Sequence, residues 1–387
     1  MTKKIVVVGG GLAGLVAAVV CAEAGAEVTL HEAHRTLGGR GRAIAGPYLV
    51  HEGAHVFYAD GPHWAWLRER GLVDGLGRPA VRDYRMGFVR DGRMRLLPPA
   101  GFLRMMATGP RTAPVEMDFH TWASRSYGER TARVAANAIS VVTYDADTGR
   151  LSAAFVWGLL RRVFTPRLPA VRWVIGGWQA VIDRLAARAR DLGVRVELGS
   201  RVTELPGEPT IVATELSSAR LLLGDDTLRW ESGDCVMLDL AVRSARGDRF
   251  ICWDLDDGGF HESYSMQDPT AAPQGETLFQ IDMPIRRGET RAEATRRVEA
   301  LADLAVPGWR GRVTWRRSGA ARHRTGALDL PGMTWRDRPA IDRGHGVFLA
   351  GDMVAAPGMR GEISVNSAIT AAGHALRALR VGEHAAR

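Results

Sequence analysis

Ile5-Val6-Val7-Val8 runs into Gly9-Gly10-Gly11-Leu12-Ala13-Gly14, then into a small apolar stretch from Leu15 to Ala24. A second apolar strand, Glu27-Val28-Thr29-Leu30-His31, ends on the acid Glu32. Strand, glycine turn, helix, strand and acid at these spacings make one dinucleotide-binding unit. Gly9 allows the tight turn, Gly11 lets backbone approach a pyrophosphate, and Gly14 lets helix and strand pack closely. The helix N-terminus faces phosphate charge, and the Glu32 carboxylate accepts from ribose hydroxyls. A glycine triad alone is weak evidence; the strand, helix and acid around it make it specific.

The rest of this 387-residue chain is organised around that unit. The length predicts two lobes. The net charge of +8 comes almost wholly from arginine, since Lys3 and Lys4 are the only lysines. The arginines are scattered among acids rather than gathered into a stripe, which reads as a compositional preference and speaks against a nucleic-acid partner. Cys21, Cys235 and Cys252 lack metal-ligand spacing, and so sparse a set fits a reducing compartment. Two lysines before an apolar stretch mimic a secretory signal, but the glycines sit where a turn is needed. With no spanning segment, the expected location is cytoplasmic.

Further along, Tyr48 to Phe57 reads as a glycine-broken strand and Pro62 to Arg70 as a short helix. Arg85 to Leu97 reads as a hairpin turning at Asp91-Gly92. Pro99 to Phe164 reads mostly as helices. Gly176-Gly177 precedes a helix from Trp178 to Leu192, closed by Gly193. Strands are expected at Val194–Leu198, Val202–Leu205 and Pro209–Thr214, and a charged helix at Arg291–Ala305. The last segment returns to the pattern of the first, with the strand and glycine turn Gly346-Val347-Phe348-Leu349-Ala350-Gly351-Asp352, a loop, and a helix from Glu362 to Leu379. The fold class is therefore α/β, a discontinuous Rossmann-like dinucleotide-binding domain (1–80, 172–234 and 336–387) with a mixed α+β substrate domain (81–171 and 235–335). Substrate is expected between them.

These stretches, in this order, resemble the flavin-containing amine oxidase superfamily, which includes phytoene desaturases and protoporphyrinogen oxidases. The resemblance rests on Gly9, Gly11 and Gly14 with Glu32; on Gly38-Gly39-Arg40; on Gly53-Ala54-His55; on Gly176-Gly177 and the run through Val202; and on Phe348 to Asp352 with the Glu362 helix. It implies bound FAD, held by Gly9, Gly11, Leu12, Ala13, Gly14, Glu32, Gly39, Arg40, Ala54, Val202, Gly351, Asp352, Glu362 and Ile363. Relatives pair adenine with the backbone of the residue matching Val202 and set the matching acid of Asp352 near the ribityl and phosphate. Physical chemistry agrees. Arg40 suits phosphate oxygens, and the start of the last helix favours negative charge on a reduced ring. The long flavin nucleotide fits Gly-Gly-Arg and the terminal Gly-Asp better than NAD(P) does.

There are departures. Many amine-oxidising members carry a lysine that holds a water against flavin N5, and no lysine follows Lys4 here. Relatives usually have Ser-Gly on the last helix where this chain has Asn366-Ser367-Ala368. Net dehydrogenation of a hydrophobic or conjugated small molecule, with hydride passing to flavin N5, is therefore expected ahead of simple amine oxidation. A flavin-dependent isomerase without net oxidation is the alternative. A non-enzymatic binder resembling the GDP-dissociation inhibitors ranks behind both, because every cofactor residue is intact.

The candidate catalytic residues are His55, on a strand that passes the ring in relatives, and Trp335, shortly before the Gly351-Asp352 loop. His51 reads as structural. The Glu362 side chain reads as a favourable acid in a first helical turn, with its backbone N–H toward the ring. The other tryptophans read as core. Arg161 to Trp173 mixes basic and aromatic residues, as a membrane-resting patch does, but its prolines favour a solvated surface.

Overall fold

The computed structural model describes residues 3–53, 56–165 and 171–385. Its centre is a five-stranded parallel sheet in the order Val347–Leu349, Thr210–Val212, Lys4–Val8, Glu27–Glu32, Arg195–Leu198. Lys4–Val8 is an apolar run because it is covered on both faces, as parallel strands are. The helix Leu12–Glu23 is apolar almost all round for the same reason. It packs against both the closing helix Gly361–Ala385 and the helix Gly177–Asp191. Pieces from the start, middle and end of the chain thus share one core, in which Val7, Leu15, Ile211, Ile363 and Ala371 are all buried.

A seven-stranded mixed sheet forms the second layer, in the order Val313–Ala321, Cys235–Arg243, Glu276–Pro284, Phe260–Ser263, Ile251–Asp254, Met86–Arg90, Arg93–Arg95. Its hairpin turns at Asp91 (φ 52°) and Gly92 (φ 64°), the paired positive angles that a tight twisted hairpin requires. Side chains alternate across it. Phe279, Ile281 and Met283 pack on one face with Val298 and Leu301 of the helix Arg291–Ala305. Four helices, Ala100–Thr108, Phe119–Tyr127, Glu129–Thr143 and Ala153–Phe164, close a further core around Trp157. A small sheet of Val56–Tyr58, Val171–Val174 and Leu76–Gly77 completes the strands.

Two expectations change. Val202–Leu205 is not a strand. Pro206-Gly207 follow it at once, and it does not add to the open edge that Arg195–Leu198 presents. The segment from Tyr48 forms no long strand either: Val50 makes a single bridge to Ile44, and the strand begins only at Val56. Ala54 and His55 lie outside the described residues, as does Arg167 of the basic-aromatic stretch.

Candidate active site

The ends of the central strands build the first half of the site. Val8, Val212 and Leu349 finish side by side, and the chain leaves each through a tight connection: Gly9 N donates to His31 O (2.7 Å), Ala213 N to Val8 O (2.8 Å) and Ala350 N to Val212 O (3.0 Å). Ligands of open parallel sheets bind outside these carboxyl ends. A Cβ on Gly14 would collide with Gly9 O, and one on Gly9 would meet Ala213 O at 2.6 Å. Gly11 is different. It has ordinary extended angles (φ −76°, ψ −172°), and a Cβ there would meet nothing within 4 Å. Its backbone therefore faces open space at the N-terminus of the helix, where a pyrophosphate fits.

Glu32 is buried. Its two oxygens accept from Gly10 N and His34 N, both at 2.7 Å, which fixes the carboxylate beside the glycine turn. Ser200 N donates to Glu32 O at 2.9 Å, so Val202, two residues on, lies near the same strand end. Gly38 N donates to Gly10 O (2.8 Å), and Gly39 stacks on Gly11, carrying Arg40 to the turn. Both Arg40 amino groups donate to Asp352, at 2.8 and 2.9 Å, and Arg40 also donates to Arg324 O. The adjacent Asp352 charge drives the guanidinium further into its charged form. Gly351 is held by Ser367, whose hydroxyl accepts from Gly351 N at 3.0 Å. The serine of the unusual Asn366-Ser367-Ala368 run is thus the anchor of the Gly351 loop.

The starts of the first and last helices meet. A Cβ on Gly361 would lie 3.6 Å from Leu12 Cδ2 and 2.8 Å from the Trp178 ring. Ala13 and Ile363 are buried beside them. Glu362 turns back to accept from Met359 N (3.0 Å), the first-turn role expected of it. It also accepts from Arg162 (2.7 Å), on a helix of the other layer. Arg162 in turn bonds Asp60 and lies 4.5 Å over the Tyr58 ring. Burial pushes the Tyr58 hydroxyl up to about 12, with the charges of Arg162, Glu362, Arg360 and Glu262 all acting on it.

The second half of the site is the inner face of the seven-stranded sheet. Glu262 stands opposite Gln280, and Gln280 opposite Asp239; Asp282 follows Gln280 on the same face. Trp173 Nε1 donates to Glu262 (2.7 Å), Tyr144 OH to Asp282 (3.1 Å), and the Arg360 guanidinium covers the Tyr144 ring at 4.1 Å. Burial pushes the Glu262 carboxyl up to about 8 and the Asp282 carboxyl up to about 7. Buried acids with perturbed ionisation are candidates for chemistry. Sequence reading missed them, though one signal was there. In Thr277-Leu278-Phe279-Gln280-Ile281-Asp282-Met283, two polar residues interrupt an apolar strand at period two.

Of the two residues expected to be catalytic, His55 is outside the described residues. Trp335 is half-buried on a turn set by Thr334 and Asp337, with the Arg336 guanidinium 4.3 Å over its ring. Trp173 is the tryptophan that contacts the acids. His51 is buried behind the site against Gly177, and burial pulls its imidazole down to about 4, in keeping with a structural role.

A family model described as an NAD(P)-binding Rossmann-like domain matches residues 7–70. Among curated proteins none matches this sequence. Solved structures do. An oxidoreductase from Methanosarcina mazei superposes with a TM-score of 0.75 at 15% identity, covering 95% of this chain and 99% of that one. Cyclohexylamine oxidase from Brevibacterium oxydans superposes with a TM-score of 0.70 at 17% identity, over 98% and 100% of the two chains. Reduced UDP-galactopyranose mutase superposes with a TM-score of 0.72 at 14% identity, over 97% and 96%. The fold is the one that these solved structures share. The glycine turn and the Arg40–Asp352 pair lie at the carboxyl ends of the central strands, and the start of the last helix meets the start of the first. Among the described residues, no helix is long and apolar enough to cross a membrane.

Proposed function

We propose that the chain is an FAD-dependent oxidoreductase that removes hydride from a C–H bond of a small molecule held between the parallel sheet and the seven-stranded sheet. The observation that carries this reading is the convergence of Gly11, Arg40 and Asp352, from two ends of the sequence, on open space at the carboxyl ends of the central strands. Gly9, Gly11, Leu12, Ala13 and Gly14 would hold the pyrophosphate, Glu32 the ribose, Val202 the adenine, and Gly39, Arg40, Gly351 and Asp352 the remaining phosphate and ribityl. Ala54 belongs to the same set. Glu362 and Ile363 present the helix start to the ring. Bound FAD supplies a hydride acceptor at N5.

The chain's own residues orient the substrate. Tyr58, Tyr144 and Trp173 give aromatic walls, and Glu262, Gln280 and Asp282 a polar floor. The aromatic walls support the conjugated or apolar substrate body read from the sequence. The two lobes would divide at 1–80, 172–234 and 336–387 against 81–171 and 235–335. Three buried free thiols fit a reducing cytoplasm.

The test is reconstitution with FAD, followed by anaerobic addition of candidate substrates. The expected result is a yellow protein that a substrate bleaches; a colourless protein that takes up no FAD overturns the reading. The likeness to reduced UDP-galactopyranose mutase favours one second reading, rearrangement on reduced FAD. Turnover that depends on prior reduction and transfers no net electrons would select it.

A further inference from the structure

The buried polar floor carries more unmet acceptors than unmet donors; Arg360 Nε, above the Tyr144 ring, is an unmet donor beside it. Gln267 Oε1, Gln280 Oε1, Asp282 Oδ1 and Glu362 Oε1 are each shielded from solvent and have no hydrogen-bond partner among the described residues. The two amide oxygens and Glu362 Oε1 are acceptors, and so is Asp282 Oδ1 in the ionised carboxylate. Gln267 and Gln280 are 2% exposed, Asp282 3% and Glu362 7%, so bulk water does not satisfy them. The orientation of Gln280 is not arbitrary. Its amide nitrogen donates to His51 O (3.1 Å) and Asp239 Oδ1 (2.8 Å), both obligatory acceptors, so its oxygen must point away from them. Asp282 commits its other oxygen to Tyr144 (3.1 Å), and Glu362 commits its own to Arg162 and Met359. Gln267 reaches Glu262 at 3.5 Å, which joins it to the same face. Glu362 Oε1 lies 3.7 Å from His63 Nε2, beyond hydrogen-bond distance.

An acceptor left unmet in a protein interior costs about 1–3 kcal/mol, and interiors hold few of them. Several in one cluster beside a cofactor cradle are explained by a ligand that brings donors. We propose that Gln267, Gln280, Asp282 and Glu362 form a recognition site for the donor-bearing head of the substrate, a hydroxyl or an ammonium group. The reacting carbon next to that head then lies toward the start of the last helix. The inference rests on the oxidoreductase reading for the position of the reacting ring, but the floor's preference for donors is a separate property. A carboxylate, or a fully alkylated head of the same size, is rejected, because it leaves the acceptors unpaired or meets them with like polarity.

The test uses the full chain, with and without FAD, and probes that share one alkyl tail: hexylamine, hexanol, hexyl methyl ether, hexyltrimethylammonium and hexanoate. Binding is read by thermal shift and by isothermal titration, neither of which needs turnover. Hexylamine or hexanol should bind at least about ten-fold more tightly than the ether, the quaternary ammonium and hexanoate. Whichever of the first two is tighter identifies the head as ammonium or hydroxyl. Gln280→Met and Asp282→Asn, checked for folding by circular dichroism, should each remove most of that preference. Equal binding across the series, binding of none, or a preference for hexanoate or the ether overturns the proposal, whatever the variants do. A yellow protein indifferent to the head group overturns the floor and leaves the oxidoreductase reading. A protein that refuses FAD yet selects donor-bearing probes does the reverse.

Discussion

The Arg40 guanidinium donates to both oxygens of Asp352, 312 positions further along the chain, at 2.8 and 2.9 Å. This fork ties the loop after the first Rossmann unit to the loop after the last parallel strand. Only a planar, two-pronged donor makes it. Arg40→Lys keeps the charge and loses the fork. It should weaken FAD binding by about 2 kcal/mol, the scale of a hydrogen bond to a charged group. Flavin release on ultrafiltration measures this, and unchanged retention would show that the pair does not shape the cradle.

Gly11 and Gly14 should separate binding from folding. Gly11→Ala places its methyl in open space, so the variant should fold with unchanged Tm and take up FAD poorly. Gly14→Ala drives its methyl into Gly9 O and should give little folded protein at all. Equal thermal stability of the two variants would contradict this packing of helix on turn.

Arg162 links the layers. It is held by Glu362 and Asp60, and the Glu362 side chain is only 9% exposed. Arg162→Ala strands a buried carboxylate and should cost about 3 kcal/mol, visible in urea denaturation. Adding Glu362→Gln removes the stranded charge and should return part of the loss. Strict additivity of the two changes would show that they do not interact.

Stability should fall as the solution turns alkaline. Glu262 and Asp282, lifted by burial from 4.5 and 3.8 to about 8 and about 7, bind protons more tightly in the folded chain than in the unfolded one. Their contribution is intact at low pH and is lost as pH rises through that window. His51 and His261, pulled down from 6.5 to about 4, act in the opposite sense and lose stability as pH falls from 6.5. The two trends oppose each other below pH 6.5. Between 6.5 and 8 the carboxyl trend dominates, so Tm should decline there, and the Cys21 and Cys252 thiols and the Tyr58 hydroxyl, raised by burial to about 12, extend the decline at higher pH. Glu262→Gln should flatten the decline; a Tm rising over that interval would refute the burial argument.

The parallel sheet was legible because its signals are local. Gly9, Gly14 and Glu32 act through spacings fixed by one turn and one helix. Gly351-Asp352 follows an apolar strand of the same kind. The second sheet was harder to read. Glu262 and Asp282 acquire their character only when antiparallel pairing sets Glu262 beside Gln280 and Gln280 beside Asp239, and no sequence spacing encodes those neighbours. Val202 failed as a strand because propensity alone does not add a segment to an open edge. Trp173 looked like any other core tryptophan until the Val171–Val174 strand paired with Val56–Tyr58 and turned its indole to Glu262.

The strand order carries a consequence for biosynthesis. Lys4–Val8 leaves the ribosome before the other four strands, yet its neighbour Thr210–Val212 arrives some two hundred residues later and the flanking Val347–Leu349 later still. The Rossmann half therefore cannot mature as a nascent N-terminal unit. It must wait, with Ile5 and Val7 unsheltered, while the intervening layer is made. A stalled or nicked chain ending before Val347 would expose an unpaired parallel edge and a glycine turn lacking Asp352, a species that chaperones and proteases would meet before any cofactor did.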